Sequence, residues 1–245
     1  MTHIRQVAKA LKLLRRPRFA VAMLRHRIGA TTEHLEAIRL CKASTLLDIG
    51  ANKGQFSLAY RELFREGRIV AFEPFPESAN RFRALFGCDA RAQLHQIALA
   101  DVEGEANFHV TTRKDSSSLL EPGAAQEVAY GVRDETTMTV PVKRLDQVVD
   151  MGALARPVLV KIDVQGAELK VLEGCSDLDK ADFLYIELSF VELYKDQPLF
   201  DDVEAYLCRR GFKPAGFFNQ SVTEEFGPTQ VDVLFARQPS ANGLI

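Results

Sequence analysis

A glycine-bearing turn is the clearest chemical signal in the sequence, and it reads Asp48-Ile49-Gly50-Ala51-Asn52-Lys53-Gly54. Glycines let a backbone approach a ligand closely, and the N–H groups of a helix that starts there point at a polar or anionic group, such as the carboxylate of a methionine. A second acid, Glu73, follows at close to the spacing of about 20 residues expected of a ribose-binding carboxylate. An ionised glutamate only accepts hydrogen bonds, so it suits two ribose hydroxyls.

The spacing of the glycines limits which class of cofactor the turn can bind. The pattern is GxxxG, whereas nicotinamide-dependent enzymes carry GxGxxG and phosphate-binding loops carry GxxxxGK[ST]. S-adenosylmethionine has a ribose and a carboxylate but no pyrophosphate, so a turn with fewer glycines suits it. The alternative is that the glycines serve turn geometry alone. We predict S-adenosylmethionine as the cofactor, and the predicted cofactor-binding residues are Asp48, Gly50, Asn52, Gly54, Phe56, Glu73, Pro74, Ala98 and Asp163.

Methyl transfer from this cofactor to a hydroxyl is an in-line displacement, and an alcohol gains from a base that removes its proton. The residues predicted to be catalytic are Asp163, Glu187 and His109. Asp163 and Glu187 each follow an apolar run, which places them at the carboxyl ends of adjacent strands, where α/β sheets bind ligands. We interpret Asp163 as a contact for the cofactor amino group or as the base, and Glu187 as a group that orients the acceptor or shares the proton. His109 is a candidate base that an insertion would bring to the crevice.

Each of these assignments has a structural alternative. Asp163 would also serve as a cap for the helix that follows it, and a surface role is the more frequent one for a residue such as His109. Glu168 fits a helix-start charge as well as a site residue, and Lys161 shares a strand face with Asp163 and could simply pair with it. A divalent metal held by Asp163, Glu187 and a third oxygen ligand is an alternative that we do not favour.

The elements that must position these residues alternate between strands and helices. Apolar runs predict strands over Thr45–Ile49, Arg68–Phe72, 93–99, Val158–Ile162 and 183–186. Amphipathic segments predict helices over 31–41, 56–65, 77–86, 145–151, 167–172 and 200–210. The strands 212–218 and 231–236 follow with no room for a crossover helix, so they should be antiparallel. The predicted fold class is α/β: a doubly wound, mostly parallel seven-stranded Rossmann-like sheet of the class I methyltransferase type, ending in an antiparallel hairpin.

Residues 101–142 interrupt the alternation. They contain a predicted hairpin at 106–111, a polar stretch at 115–118 and an extended segment at 137–142. An insertion of this length without clear helices is typical of a lid or a substrate-binding segment, and partial disorder is the alternative. The predicted organisation is a basic helical extension over 1–43, a methyltransferase domain over 44–237 that carries this insertion, and a tail over 238–245.

The charge is unevenly distributed, although the net charge is only -2. Every charged side chain before Glu33 is basic. We interpret this segment as a capping helix with a solvated basic face, and contact with an anionic membrane surface or a partner is the alternative. The four cysteines are far apart, and arginines interrupt every candidate signal peptide, so a cytoplasmic location is expected.

Three blocks of sequence resemble the signature blocks of the FkbM family of methyltransferases. They cover residues 48–57 (DIGANKGQFS), 72–76 (FEPFP) and 160–174 (VKIDVQGAELKVLEG), and the resemblance extends over about 44–237. It implies a cytoplasmic enzyme that O-methylates small molecules, commonly sugars or polyketide-type hydroxyls. Similar proteins usually carry Glu where this chain has Gln165, so a carboxylate role is not expected at this position.

The function predicted is therefore O-methylation of a small-molecule hydroxyl, with a saccharide as the favoured acceptor and no nucleic acid as partner. A nicotinamide-dependent oxidoreductase would need the GxGxxG turn and a Tyr-x-x-x-Lys pair. Amino-methylating nucleic-acid enzymes usually show an (Asp/Asn)-Pro-Pro-(Tyr/Phe) motif where this chain has Asp163-Val164-Gln165-Gly166. A non-catalytic cofactor-binding module of the same fold is the remaining alternative, because a fold does not determine chemistry.

Overall fold

A computed structural model describes residues 16–238. The strands are β1 (Thr45–Ile49), β2 (Arg68–Phe72), β3 (Ala92–His95), β4 (Ala98–Leu99), β5 (Gly104–Thr111), β6 (Asp134–Lys143), β7 (Val158–Ile162), β8 (Phe183–Ser189), β9 (Phe212–Thr223) and β10 (Gly227–Arg237). The α-helices are α1 (Pro17–Val21), α2 (Leu35–Cys41), α3 (Gln55–Leu63), α4 (Pro76–Phe86), α5 (Ala124–Tyr130), α6 (Leu145–Val148), α7 (Glu168–Glu173) and α8 (Phe200–Arg209).

The main sheet has seven strands in the order β3-β2-β1-β7-β8-β10-β9. β1 is parallel to β2 and β7, and β7 is parallel to β8, whereas β10 is antiparallel to both β8 and β9. Strands covered on both faces by helices are apolar along their length, and every residue of β1 and β7 is buried. The predicted fold class is therefore confirmed, including its antiparallel end.

Helices cover both faces of this sheet. On one face, Leu46 of β1 belongs to a core cluster with residues of α2, α3 and α4. On the other face, Leu47 packs in a cluster with residues of α6, α7 and α8. Alternate residues of β1 thus serve opposite cores, and the carboxyl ends of the parallel strands form one edge between the two layers.

The prediction of one continuous strand over 93–99 is wrong. β3 pairs with β2 in the main sheet, whereas β4 pairs with β6 in a separate three-stranded sheet. The chain leaves the main sheet at Gln96 and Ile97, between the two strands. The two pieces have different pairing partners, which an apolar pattern along the chain does not encode.

The insertion supplies the rest of the second sheet and a helix that the sequence did not predict. β5 pairs antiparallel with β6, so the two predicted extended segments are neighbours and no local hairpin forms at 106–111. Helix α5 lies between them in sequence, and its Ala125, Ala129 and Tyr130 pack on a cluster around Tyr194. A short alanine-rich helix has too few turns to show a clear apolar periodicity.

The described part of the N-terminal extension packs on the main sheet. Phe19, Ala22 and Ile38 are buried in the same cluster as Leu46. The basic residues before position 16 and the tail from 239 onwards lie outside the described residues. Among residues 16–238, no helix has the length and apolar character required to cross a membrane.

Candidate active site

A cavity of about 360 Å³ opens at the carboxyl ends of β1, β2, β7 and β8. Its walls include the β1–α3 turn, the end of β2, the β7–α7 loop, and residues of β8 and β10. The insertion contributes Ser116 and Ser117, and the N-terminal segment contributes Thr31 and His34. This is the edge at which ligands bind in open α/β sheets.

The predicted glycine turn forms one wall, and its glycines have two different functions. Gly50 has a φ of +73°, and a Cβ there would lie 1.8 Å from the carbonyl oxygen of Asp163, so the turn touches the end of β7. Gly54 has a φ of +87°, but a Cβ on it would meet Phe82 and Phe86 of α4 at 2.9 Å. Gly50 lines the cavity and needs its missing Cβ for the contact with the end of β7, whereas the missing Cβ of Gly54 lets α4 pack behind the turn.

Asp48 lies beneath the turn and does not line the cavity. It is fully buried, accepts a 2.5 Å hydrogen bond from Ser57 Oγ, and has Lys161 Nζ at 3.5 Å from Oδ1. Lys161 also donates to the Gly50 carbonyl at 2.7 Å and lies 3.4 Å from Asp163 Oδ2. Burial opposes the charge of this lysine, but the two carboxylates outweigh it and raise its pKa. The buried ammonium thus joins the ends of β1 and β7.

Glu73 faces the cavity from the end of β2. Its Oε2 accepts from the Asn52 N–H at 2.8 Å, and its Oε1 accepts from the Phe75 N–H at 2.9 Å. Burial raises the pKa of Glu73 to about 7, although these two N–H groups and the Lys161 charge act in the opposite direction. Each carboxylate oxygen has a second lone pair, so Glu73 can still accept from a ligand.

One side-chain amide connects the two predicted acids. Nε2 of Gln165 donates to Asp163 Oδ1 at 2.8 Å and to Glu187 Oε2 at 2.9 Å, and its Oε1 accepts from Tyr194 Oη at 3.0 Å. Burial and the nearby carboxylates, Asp163 first among them, raise the pKa of Glu187 well above its usual range. Asp163, Gln165 and Glu187 all line the cavity. Asp163 directly follows β7, as predicted, whereas Glu187 lies within β8, two residues before the end of the strand.

Two other candidates lie away from the cavity. Glu168 is buried, and its Oε1 accepts from the N–H groups of Val164 and Gly166, so it braces the β7–α7 loop. His109 does not line the cavity, and its Nδ1 lies 2.8 Å from Asp134 Oδ2 on the neighbouring strand β6. This placement does not support the predicted role of His109 as a base.

The remaining predicted cofactor residues, Asn52, Phe56, Pro74 and Ala98, all line the cavity. Several other lining residues were not among the predicted site residues, for example His34, Tyr185, Gln230 and Asp232. Strand alternation was an available signal for two of them: Tyr185 shares a face with Glu187, and Asp232 is an acid within an apolar strand. Among residues 16–238, no group of three or more His, Cys, Asp or Glu side chains is arranged to hold a metal ion.

The strand order and the position of the cavity define a methyltransferase-type α/β fold. The chain belongs to the FkbM methyltransferase family, since the family described as "Methyltransferase FkbM domain" matches residues 48–214. It is a methyltransferase, as the sequence predicts.

Relatives of known name agree with this class. The 2-O-methyltransferase NoeI of Sinorhizobium fredii is 32% identical over 62% of this chain, and the match spans 66% of NoeI, just under two thirds of its length. The hexuronic acid methyltransferase AglP of Haloferax volcanii is 27% identical over 58% of this chain and 55% of AglP. Among solved structures, the O-methyltransferase from Bacillus cereus in complex with SAH has a TM-score of 0.50 at 14% identity, covering 94% of this chain and 91% of that one, which shows the shared fold.

Proposed function

We propose that this protein is an S-adenosylmethionine-dependent O-methyltransferase that acts on a hydroxyl of a saccharide. One observation supports the proposal most directly: Glu73, Gly50 and the two acids Asp163 and Glu187 line the same cavity. These groups follow one another along the order β2-β1-β7-β8 of the sheet, and we expect the ribose at Glu73, the methionine part at the Gly50 turn and the methyl group near the two acids.

The residues present fit the cofactor by their chemistry. Glu73 has free lone pairs for ribose hydroxyls, and its carboxylate is fixed by two backbone N–H groups, so it needs no reorganisation on binding. The backbone of Asp163 contacts the Gly50 turn and its carboxylate is 38% exposed, so this carboxylate suits the cofactor amino group. When bound, the sulfonium supplies an electrophilic methyl carbon.

Glu187 and its neighbours suit the acceptor. Burial and neighbouring charges raise the pKa of Glu187, and the protonated form of this group can donate a hydrogen bond to an acceptor oxygen. Gln230 Nε2 lies 3.1 Å from Glu187 Oε2 and extends the polar wall. A wall of amide, carboxyl and hydroxyl groups matches a ligand rich in hydroxyls. The similarity to the 2-O-methyltransferase NoeI favours a hydroxyl as the acceptor, and the similarity to the hexuronic acid methyltransferase AglP favours the saccharide class.

The first test is calorimetric titration with S-adenosylmethionine and S-adenosylhomocysteine, with NADH as the control ligand. We expect both sulfur ligands to bind and NADH not to bind. Glu73→Ala should weaken the binding of both by about tenfold or more, because a charge-assisted hydrogen bond contributes about 1.5–3 kcal/mol. Absence of binding by the wild-type protein would refute the cofactor assignment.

The second test measures transfer of a radiolabelled methyl group from S-adenosylmethionine to D-glucuronic acid and to methyl glycosides of neutral hexoses. We expect a labelled ether product, and Glu187→Ala, which removes the hydrogen-bonding group, should reduce turnover more than cofactor affinity. If cofactor binds but no saccharide in this panel accepts a methyl group, the proposed acceptor class is wrong.

A further inference from the structure

A second polar cluster borders the cavity, and three of its four residues, His34, Tyr185 and Asp232, line it. It consists of His34 from the turn before α2, Tyr185 of β8, Asn219 of β9 and Asp232 of β10. The family match covers residues 48–214, so three of these four residues lie outside it. None of the four was a predicted site residue, and the tertiary structure brings them together.

One edge of the His34 ring is held by this cluster. Its Nδ1 lies 3.0 Å from Tyr185 Oη and 3.3 Å from Asp232 Oδ2. The ring also packs against Phe56, with centroids 5.4 Å apart, and against Tyr185, with centroids 5.6 Å apart. The side chain is 19% exposed and lines the cavity, and within residues 16–238 its polar contacts with Tyr185, Asp232 and Asn219 are all made by Nδ1.

The hydrogen bonds of the cluster favour a proton on Nδ1. Asp232 is an acceptor, and its Oδ2 takes hydrogen bonds from Tyr185 Oη at 3.0 Å and from Asn219 Nδ2 at 2.8 Å. Burial and the Asp232 charge raise the pKa of Tyr185, so the phenol keeps its proton and donates it to Asp232. The lone pairs of Tyr185 Oη are then available to accept Nδ1–H of His34.

A competing arrangement exists at the same atom. Asn219 Nδ2 also lies 3.0 Å from His34 Nδ1 and would donate to it if Nδ1 carried no proton. If Nδ1 does carry the proton, one hydrogen of the Asn219 amide stays on Asp232 and the other can bind Tyr185 Oη, which lies 3.3 Å away. The negative charge of Asp232 favours the first arrangement, because it stabilises a proton placed on the near side of the imidazole.

We propose that His34 is the general base of this methyltransferase and takes the proton of the acceptor hydroxyl on Nε2. Asp232 acts as a positioning residue, through Tyr185, by holding the imidazole in the required tautomer and stabilising the imidazolium. This inference rests on the proposed O-methyltransferase function. It also means that the N-terminal segment before the family match supplies part of the active site.

The step balances as a proton transfer coupled to a displacement. The O–H bond of the acceptor breaks, its proton goes to His34 Nε2, and an oxygen lone pair forms a bond to the methyl carbon. The pair of electrons from the carbon–sulfur bond goes to sulfur. The products are a methyl ether, neutral S-adenosylhomocysteine and a protonated His34, which returns its proton to solvent.

The first experiment needs no acceptor. Nitrogen-15 spectra of the histidine side chains in the full chain, at a pH where the His34 ring is neutral, report which ring nitrogen carries the proton, and His34→Gln identifies the His34 signals by their disappearance. We expect the Nδ1–H form in the wild-type protein and a shift towards the Nε2–H form in Asp232→Asn. A wild-type His34 that carries its proton on Nε2 would overturn the proposal.

The second experiment measures turnover with S-adenosylmethionine and D-glucuronic acid. General base catalysis contributes about 10²–10⁴-fold, so His34→Gln should lower kcat by about 100-fold or more while the Kd for S-adenosylhomocysteine changes less than about twofold. His26→Gln is the matched control, because His26 belongs to the same N-terminal segment but does not line the cavity, and it should keep wild-type turnover.

The outcomes separate the two proposals. A wild-type protein that binds no S-adenosylhomocysteine refutes the proposed function. A wild-type protein that methylates the acceptor while His34→Gln retains its kcat refutes the role of His34 alone. If D-glucuronic acid is not an acceptor, the tautomer measurement still decides whether His34 presents an unprotonated Nε2 to the cavity.

Discussion

At the scale of single residues, two buried glutamates differ in position but not in proton affinity. Burial raises the pKa of both Glu73 and Glu168 to about 7. Glu73 lines the cavity, whereas Glu168 accepts hydrogen bonds from the N–H groups of Val164 and Gly166 in its own loop. The pair therefore allows an effect on ligand binding to be distinguished from an effect on stability.

Acidification should stabilise the fold and weaken cofactor binding. A carboxyl group whose pKa is raised by folding binds its proton more tightly in the folded state, so stability increases as the pH falls through about 7 towards the unfolded value. Each glutamate should contribute on the order of 3 kcal/mol between pH 8 and pH 4.5, at about 1.4 kcal/mol per pKa unit. Protonated Glu73 accepts ribose hydroxyls poorly, so affinity for S-adenosylhomocysteine should fall by up to about tenfold between pH 8 and pH 6.

Thermal unfolding and calorimetric titration across this range check both effects. Glu168→Gln should lose its own contribution to the stabilisation on acidification, on the order of 3 kcal/mol, and retain the pH dependence of affinity. Glu73→Gln should lose the pH dependence of affinity. Equal pH dependence of affinity in Glu73→Gln and in the wild-type protein would show that Glu73 does not hold the cofactor.

Gln165 shows how one residue can change the character of a site. The sequence indicated only that this position lacks a carboxylate. In the structure its amide donates to Asp163 and Glu187 together, which reduces the repulsion between two acids that converge on the cavity. A glutamate at position 165 would accept hydrogen bonds and could not bridge the same pair while ionised.

At the scale of elements, the β1–α3 turn depends on contact with the β7–α7 loop. Gly50 and Gly131 have similar positive φ values, +73° and +66°. A Cβ on Gly50 would lie 1.8 Å from a backbone oxygen, whereas a Cβ on Gly131 meets nothing within 4 Å. An alanine would therefore adopt an unfavourable left-handed conformation at both positions, but it would clash with neighbouring backbone only at position 50.

Gly50→Ala should therefore destabilise the protein by about 3 kcal/mol or more, because strain and a backbone clash add. Gly131→Ala should lose only about 1 kcal/mol, the cost of the left-handed conformation. Urea unfolding measures both values, and the Gly50 variant should also bind S-adenosylhomocysteine more weakly. Equal losses in the two variants would mean that the turn does not press against the end of β7 in solution.

At the scale of the whole molecule, the N-terminal segment contributes to the core of the sheet. Phe19 is fully buried against the cluster that contains α2 and α3, whereas Leu24, five residues later, is 78% exposed. The same segment continues to His34 in the cavity wall. Its docking is therefore required both for stability and for the geometry of the site.

Phe19→Ala should lower the free energy of unfolding by about 3–5 kcal/mol, the usual cost of removing a buried aromatic ring. Leu24→Ala is the control and should change it by less than about 0.5 kcal/mol. Chemical unfolding measures both changes. Similar small changes in both variants would indicate that this segment is not docked on the sheet in solution.

Local patterns in the sequence were sufficient for much of the fold. The bounds of β1, β2 and β7 agree with the prediction, because continuous apolar runs between turns determine buried parallel strands. The acid at the end of β2 and the antiparallel end of the sheet were also predictable, the first from residue spacing and the second from the short connection between β9 and β10.

Only the tertiary structure decided which polar side chains meet. Asp48 and His109, both predicted site residues, do not line the cavity, whereas His34 and Asp232, nearly 200 residues apart in the chain, contact each other within its wall. The division of 92–99 into β3 and β4 also depends on distant contacts, because β3 pairs with β2 in the main sheet and β4 pairs with β6 in the second sheet. Residue type and periodicity specify how one segment folds, but contacts between distant segments depend on sheet order and on how helices pack across it.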